Sequence, residues 1–505
     1  MNTEGGHLDA AAADTLSGRL RRHAERQGDV IALEDVAGRI AYRDLVRLVA
    51  GVARRLREAG VTPEACVGLT VRDEIDHLLT VLALLELGAR QVVLASHAPA
   101  TARLDLASRV GVTHVVGDID SDRIAGASFI DVGALSVRAS DDRPPAWSPT
   151  RPDAGALLLT GSGTTGRVKL LCFTQRDLAA QASHPPVDPR GGRLLQMASA
   201  EHNNAKRMRL YALHAGGTCV LRSGASLTAH GLCAALRPTW LELATVHAVA
   251  LVAACRVEGR LPESTNVRVG GSRVPESLRR AIVEHATPRL HVSYGATEVG
   301  AVGVAAPSMH DTPDCVGRPM PGVEVEVRDE HGRPAAPGEP GDVRIRAPGM
   351  ARTYVGDPEA TARHFRDGWF VPGDVGSWTA DGRLCIHGRR DDMMIMNGMN
   401  IHPFEVKRAL EAHPQVAAAA AFPLASDVHG EIPVAAVELG PGATATAAAL
   451  VAWARERLGA RAPRRVFVVD AFPRNAAGKV LRNALAQALG VHVPPRAAGL
   501  PEDAR

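Results

Sequence analysis

Long apolar runs, clustered cysteines, aromatic residues and lysines are all scarce in this chain of 505 residues. Each scarcity excludes something. No apolar run reaches the ~18 residues of a membrane-spanning helix, so no membrane partner is expected. The seven cysteines (Cys66, Cys172, Cys219, Cys233, Cys255, Cys315 and Cys385) are scattered, odd in number and without a C-x-x-C pair. That excludes a disulfide frame or a thiolate zinc site and fits reduced thiols in a cytoplasmic protein. The first sixteen residues are polar, with neither a basic start nor an apolar core, so no signal peptide is expected. Aromatics make up 3 %, too few for a base-stacking platform. The formal charge is only +3 and the basic residues are dispersed, so no nucleic-acid partner is expected. Lysine is the most informative scarcity. Of 58 basic residues only Lys169, Lys206, Lys407 and Lys479 are lysine. Where arginine is the default cation, a retained lysine marks a place that suits a compact ammonium.

What is present is a globular composition, 46 % apolar, in a chain long enough for two to four domains. Strand and helix patterns alternate from about residue 16 to 300, as in a mainly parallel α/β sheet. The early expectations are a helix opening at residues 40–45 and running to about 59, then a strand at 67–71, a helix at 74–87 and a strand at 91–94. Residues 141–153, rich in Pro, Ser and charge, read as a linker. Between 316 and 387 the texture changes to short alternating strands (324–327, 342–346, 384–387) with Gly/Pro/Asp turns, a small β-rich subdomain. A smaller α+β unit follows: helix 403–413, strands 416–422 and 433–439, helix 446–458, strand 465–469 and a last helix at 480–489. No internal repeats are found.

The chain is organised around residues 157–169, LLLTGSGTTGRVK. A buried-looking strand at 156–159 gives way to Thr160, Gly161, Ser162, Gly163, Thr164, Thr165 and Gly166. Glycines let the backbone approach a polyphosphate, and hydroxyls and free N–H groups donate to it. Lys169 adds a point charge. Gly161 and Gly166 have Walker A spacing, but Arg167 and Val168 stand where Lys and Ser/Thr are required, so it is not that loop. The stretch resembles the phosphate loop of adenylate-forming enzymes, T-S-G-T-T-G-x-P-K-G, with Gly161, Val168 and Leu170 as departures. That superfamily comprises acyl-CoA synthetases, adenylation domains of peptide synthetases, and luciferases.

Five further stretches carry the resemblance. Tyr294-Gly295-Ala296-Thr297-Glu298, after an apolar strand at 290–292, is similar to Y-G-x-T-E. The resemblance implies that Tyr294 packs on adenine, Thr297 touches the α-phosphate and Glu298 holds Mg²⁺, a hard cation suited to a carboxylate. Upstream, Gly270-Gly271-Ser272 resembles the segment that lies against adenine. Residues 369–374, W-F-V-P-G-D, resemble Y-x-T-G-D, which makes Asp374 the acceptor of the ribose hydroxyls. Residues 388–403 resemble the hinge of acyl- and aryl-CoA ligases, G-R-x-D-D-M-I-I-x-x-G-x-N-I-x-P. By that likeness Arg389 contacts ribose or phosphate, Asp391 is the pivot and Gly398 lines a pantetheine tunnel. Ile395 stands where peptide-synthetase domains carry lysine. Residues 473–479 match P-R/K-x-x-x-G-K, making Lys479 the catalytic cation on the carboxylate and α-phosphate, a contribution of roughly 3–4 kcal/mol.

Residues 201–206, E-H-N-N-A-K, occupy the pocket-entry position. His202 and Asn203 resemble aryl-acid adenylation domains, and the absence of Asp disfavours an α-amino acid. Lys206, Arg207 and Arg209 either meet a second anionic group or face water. The resemblance implies a large N-terminal domain (1–388) of two α/β sheet subdomains plus the β-rich subdomain, a hinge (389–392) and a small mobile α+β domain (393–505). It implies an acyl-adenylate made from ATP and an acid, with Mg²⁺, then a thioester on CoA or on the phosphopantetheine of an acyl carrier protein. The chain is expected as a monomer or homodimer. Three alternatives stay open: another oxyanion as substrate, an amine as acceptor, or a non-catalytic acyl- or nucleotide-binding relative.

Overall fold

The computed structural model describes residues 15–119, 123–135, 152–161, 168–183, 191–222, 227–390, 394–396, 399–426, 430–474 and 480–491. The linker expected at 141–153 therefore lies outside the described residues except for its last two positions.

Among the described residues the strands form three sheets of fifteen, six and five strands. The six-stranded sheet pairs Cys66–Thr70, Arg90–Val93, His114–Gly117, Ser128–Asp131 and Gly155–Gly161 in parallel. Lys169–Thr174 closes it as an antiparallel hairpin partner of Gly155–Gly161. The helix Glu74–Leu87 covers this sheet and is apolar nearly all round, which suits burial on every side. The Asp73 carboxylate caps it by accepting from the N–H groups of Ile75 and Asp76, and Gly88 closes it in the left-handed region at φ 74°. The helix expected to open at 40–45 begins at Tyr42, after the helix Leu16–Gln27, because residues 40–41 pair in the short strand Arg39–Ala41.

The fifteen-stranded sheet is parallel through Arg193–Gln196, Trp240–Ala244, Asn266–Gly270 and Leu290–Ala296. It then turns antiparallel at Gly300–Ala305. Through Cys315–Pro319 it runs on into the β-rich strands, including Gly341–Arg346, Asp374–Trp378 and Leu384–Arg389. The β-rich subdomain is thus an extension of the second sheet and shares its hydrogen-bonding. The strand expected at 290–292 continues to Ala296 because Tyr294 and Gly295 pair across to Gly303 and Ala301. A Cβ at Gly295 would lie 2.3 Å from the Gly300 carbonyl oxygen, so only glycine fits this crossing.

The five-stranded sheet belongs to the C-terminal unit, with the hairpin Val416–Ser426 and Gly430–Leu439 and the parallel strand Arg465–Val469. The last helix is shorter than expected, Arg482–Ala488. This unit rests on the larger body through a few polar contacts. Arg273 bonds Asp314 through Nε (2.7 Å) and Glu411 through Nη1 (2.5 Å), and the Ser277 hydroxyl donates to the Ala417 carbonyl (2.6 Å). His387 and Phe404 stack at 4.9 Å between ring centroids.

Candidate active site

Among the described residues, motif side chains from the six-stranded and fifteen-stranded sheets come together. Tyr294 and Asp374 meet although they are far apart in sequence: the Tyr294 hydroxyl donates to Asp374 Oδ2 at 2.5 Å. Asp374 lies directly across the antiparallel ladder from Arg389. Arg389 Nε is 3.6 Å from Asp374 Oδ1. One carboxylate is therefore oriented from both sides, by a phenol and a guanidinium. Burial and the adjacent Asp374 carboxylate push the Tyr294 phenol well above its usual value, so it stays a hydrogen-bond donor.

A second group lies at the hairpin end. Glu298 Oε1 accepts from the Tyr354 hydroxyl at 2.8 Å, and the Glu298 carbonyl accepts from the Ala351 N–H at 2.8 Å. Lys169 Nζ lies 4.7 Å from the Tyr354 ring centroid and donates to His364 Nε2 at 3.0 Å. Burial holds the Lys169 ammonium below its ordinary pKa, while the Glu298 carboxylate acts the other way. Gly161 ends its strand against Glu298, with a built Cβ 3.7 Å from Oε1. The Thr297 carbonyl accepts from Arg207 Nη1 at 3.0 Å.

Residues 201–206 open the helix Asn203–His214, with His202 at its N-cap position and no side-chain capping bond. Asn203 Nδ2 donates to the Thr160 carbonyl at 2.6 Å, which ties this helix to the strand feeding the phosphate loop. His202 stacks on His97 at 6.4 Å between centroids, and burial lowers its pKa first, with His97 adding to the effect. Gly271 turns at φ 85°, and Ser272 Oγ shares a 2.5 Å hydrogen bond with Thr245 Oγ1 beside it.

Of the two alternatives for the basic residues of this helix, one is removed here. Lys206, Arg207 and Arg209 do not face water; all three are buried because every residue of this helix from Ala205 to His214 packs inward. Arg209 pairs with Glu74 at 2.8 Å, a carboxylate of the protein itself. Among the described residues Lys206 Nζ has no hydrogen-bond partner, and burial lowers its pKa to about 7, with Glu201 as the opposing charge. Ser162, Gly163, Thr164, Thr165, Gly166, Asp391, Gly398 and Lys479 lie outside the described residues.

Sequence reasoning missed Tyr354 and His364. Neither sits in a motif, and each reaches the site only through the tertiary fold. The nearest signal is that His364 ends the helix Pro358–His364, a few residues before the W-F-V-P-G-D stretch.

The described residues contain no group of three or more His, Cys, Asp and Glu side chains able to hold a metal ion. Glu298 fits an ion that brings its other ligands with it, as Mg²⁺ does when phosphates and water complete its shell.

Residues 20–355 match the family described as AMP-binding enzyme, and residues 405–479 match AMP-binding enzyme C-terminal domain. A 2-succinylbenzoate–CoA ligase of Geobacillus kaustophilus is 29 % identical, covering 93 % of this chain and 97 % of its own. An oxalate–CoA ligase of Arabidopsis thaliana is 29 % identical over 94 % of this chain and 98 % of its own. Among solved structures, the amide bond synthetase McbA of Marinactinospora thermotolerans superposes with a TM-score of 0.82 at 26 % identity. That match covers 94 % of this chain and 99 % of the other.

Proposed function

Because the chain belongs to the AMP-binding enzyme family, we propose that it is an ATP-dependent, AMP-forming acid–thiol ligase working through an acyl-adenylate. The observation that carries this reading is the convergence on Tyr294 of two carboxylates, Asp374 and Glu298, each held by a partner of its own. Asp374, held by Tyr294 and Arg389, suits a ribose diol. Glu298, with Lys169 nearby, suits a cation-neutralised polyphosphate.

In this reading Tyr294 and the Gly271-Ser272 turn flank adenine, and Asp374 accepts both ribose hydroxyls. The loop Thr160, Ser162, Gly163, Thr164, Thr165 and Gly166 wraps the phosphates, with Lys169 at their outer end and Thr297 at the α-phosphate. Mg²⁺, when bound at Glu298, neutralises phosphate charge. The acid carboxylate attacks the α-phosphorus and pyrophosphate leaves. Lys479, carried by the small domain, stabilises the charge that develops. Rotation about Asp391 then exchanges that lysine for the thiol entrance, and a thiol of CoA, or of a carrier-protein phosphopantetheine, displaces AMP at the acyl carbon. The unit boundaries 1–388, 389–392 and 393–505 follow from this motion. His202 and Asn203 face the acid, and a substituted benzoate or similar arylcarboxylate is the proposed class. Lys206 stands one turn below them.

A second reading keeps the adenylate and replaces the thiol by an amine. It is favoured by the superposition with an amide bond synthetase and by the unusual pocket-entry segment. Product analysis separates the two, as a thioester or an amide.

The deciding experiment is acid-dependent exchange of pyrophosphate into ATP across aryl, fatty, dicarboxylic and β-amino acids, with Lys479→Ala as control. Exchange with one acid class, lost in the variant, is expected. No exchange with any acid overturns the reading.

A further inference from the structure

Lys169 opens the second strand of the hairpin, and its ammonium could fall onto Glu298, the carboxylate whose charge acts most strongly on it. It does not, because His364 holds it. Lys169 Nζ donates to His364 Nε2 at 3.0 Å. On the other side of the ring, His364 Nδ1 donates to the Val371 carbonyl at 2.8 Å. The Val371 N–H returns a bond of 2.7 Å to the His364 carbonyl. A backbone carbonyl only accepts, so the ring proton is fixed on Nδ1 and the lone pair on Nε2 faces an ammonium that can only donate. Burial keeps this imidazole below its ordinary pKa and therefore neutral near pH 7, and the Lys169 charge adds to that. The Tyr354 hydroxyl occupies Glu298 Oε1 from the other direction. Ammonium and carboxylate are thus kept as separate charges instead of a closed ion pair.

We propose that His364 is a positioning residue for polyphosphate binding, holding Lys169 off Glu298 and in fixed relation to the segment that carries Asp374. The proposal rests on the reading that Lys169 meets the outer phosphates of ATP. Val371 lies three residues before Asp374, so through its reciprocal bonds with Val371 one side chain ties the phosphate end of the proposed site to its ribose end. Without the imidazole acceptor, Lys169 collapses onto Glu298, and an incoming triphosphate must first break that pair.

The test is a double-mutant cycle read by calorimetry with Mg–ATP and with AMP, on the full chain without acid, so that nothing turns over. The variants are His364→Phe, Lys169→Ala and both together, with thermal melting to confirm folding; His364→Leu replaces the first if it does not fold. His364→Phe is expected to weaken ATP binding about tenfold, the worth of one hydrogen bond to a charged group. AMP binding should stay within about twofold, and the same change in the Lys169→Ala background should cost nothing further. Equal losses for ATP and AMP, or additive losses in the double variant, overturn the proposal while leaving ATP binding by the wild type intact. A wild type that binds no ATP overturns the functional reading and this inference together.

Discussion

Two sets of buried polar groups, one around Asp374 and Glu298 and one beneath the helix Asn203–His214, are built differently. In the first, which the proposed function assigns to the nucleotide, the named side chains are each held by a second one: Tyr294 and Arg389 on Asp374, Tyr354 on Glu298, His364 on Lys169. Beneath the pocket-entry helix the charges are buried deeper and satisfied unevenly. Arg268 bonds Glu242, with Nε–Oε2 at 2.5 Å, yet among the described residues Arg268 Nη1, Lys206 Nζ and His77 Nε2 are buried without hydrogen-bond partners. In the proposed function the first set holds the nucleotide and the second underlies the acid, which differs among the relatives, 2-succinylbenzoate and oxalate being two.

The sharpest way to break this comparison is to remove a partner from a bonded pair under the acid side. Glu242→Leu leaves Arg268 buried and uncompensated and is expected to cost about 3–5 kcal/mol in a denaturant titration. On the nucleotide side, Glu298→Gln keeps an acceptor for Tyr354 but removes the charge. It should lower the rate of pyrophosphate exchange roughly 10²–10³-fold with little change in melting temperature.

The unsatisfied lysine should behave in the opposite sense. Lys206→Met removes a buried ammonium and is expected to stabilise the fold by about 1–4 kcal/mol near pH 7. Its pH dependence follows from the depressed pKa of about 7. Above that value and up to the ordinary lysine range, the unfolded chain holds a proton that the folded chain lacks. Wild-type stability from this group therefore rises with pH, and Lys206→Met should flatten the rise. A variant whose advantage grows with pH would contradict the assignment. The smallest effect is expected from Asn203→Ala, which should shift selectivity among ring-substituted acids by about tenfold or less. Unchanged selectivity would remove Asn203 from the acid site.

That Tyr294, Glu298, Asp374 and Arg389 belong together was legible because these residues travel with neighbours at fixed spacing. Asp374 follows W-F-V-P-G, and Glu298 follows Y-G-A-T, so each local turn announces its side chain. Tyr354 and His364 were illegible because they act across gaps of 56 and 195 residues, through contacts only the fold creates. The helix Glu74–Leu87 was read to the residue, since an Asp cap, an apolar body and a closing glycine all agree. The strand at Leu290–Ala296 was read short, because Tyr-Gly looks like a turn until Gly300–Ala305 pairs with it. The burial of Lys206 and Arg209 could not be anticipated from residue type, as charged residues at a helix start are ordinarily solvated.

Tyr294, Asp374 and Arg389 hang from a single hydrogen-bonded sheet, whereas Thr160, Gly161 and Lys169 hang from another. Between the two run bonds such as Asn203 to Thr160, Lys169 to His364, and the Val355 N–H to the Leu170 carbonyl. Mechanically this is a vice whose jaws are stiff and whose screw is soft. Strain from a bound nucleotide should appear as a change in the spacing of the jaws and leave the shape of each jaw alone.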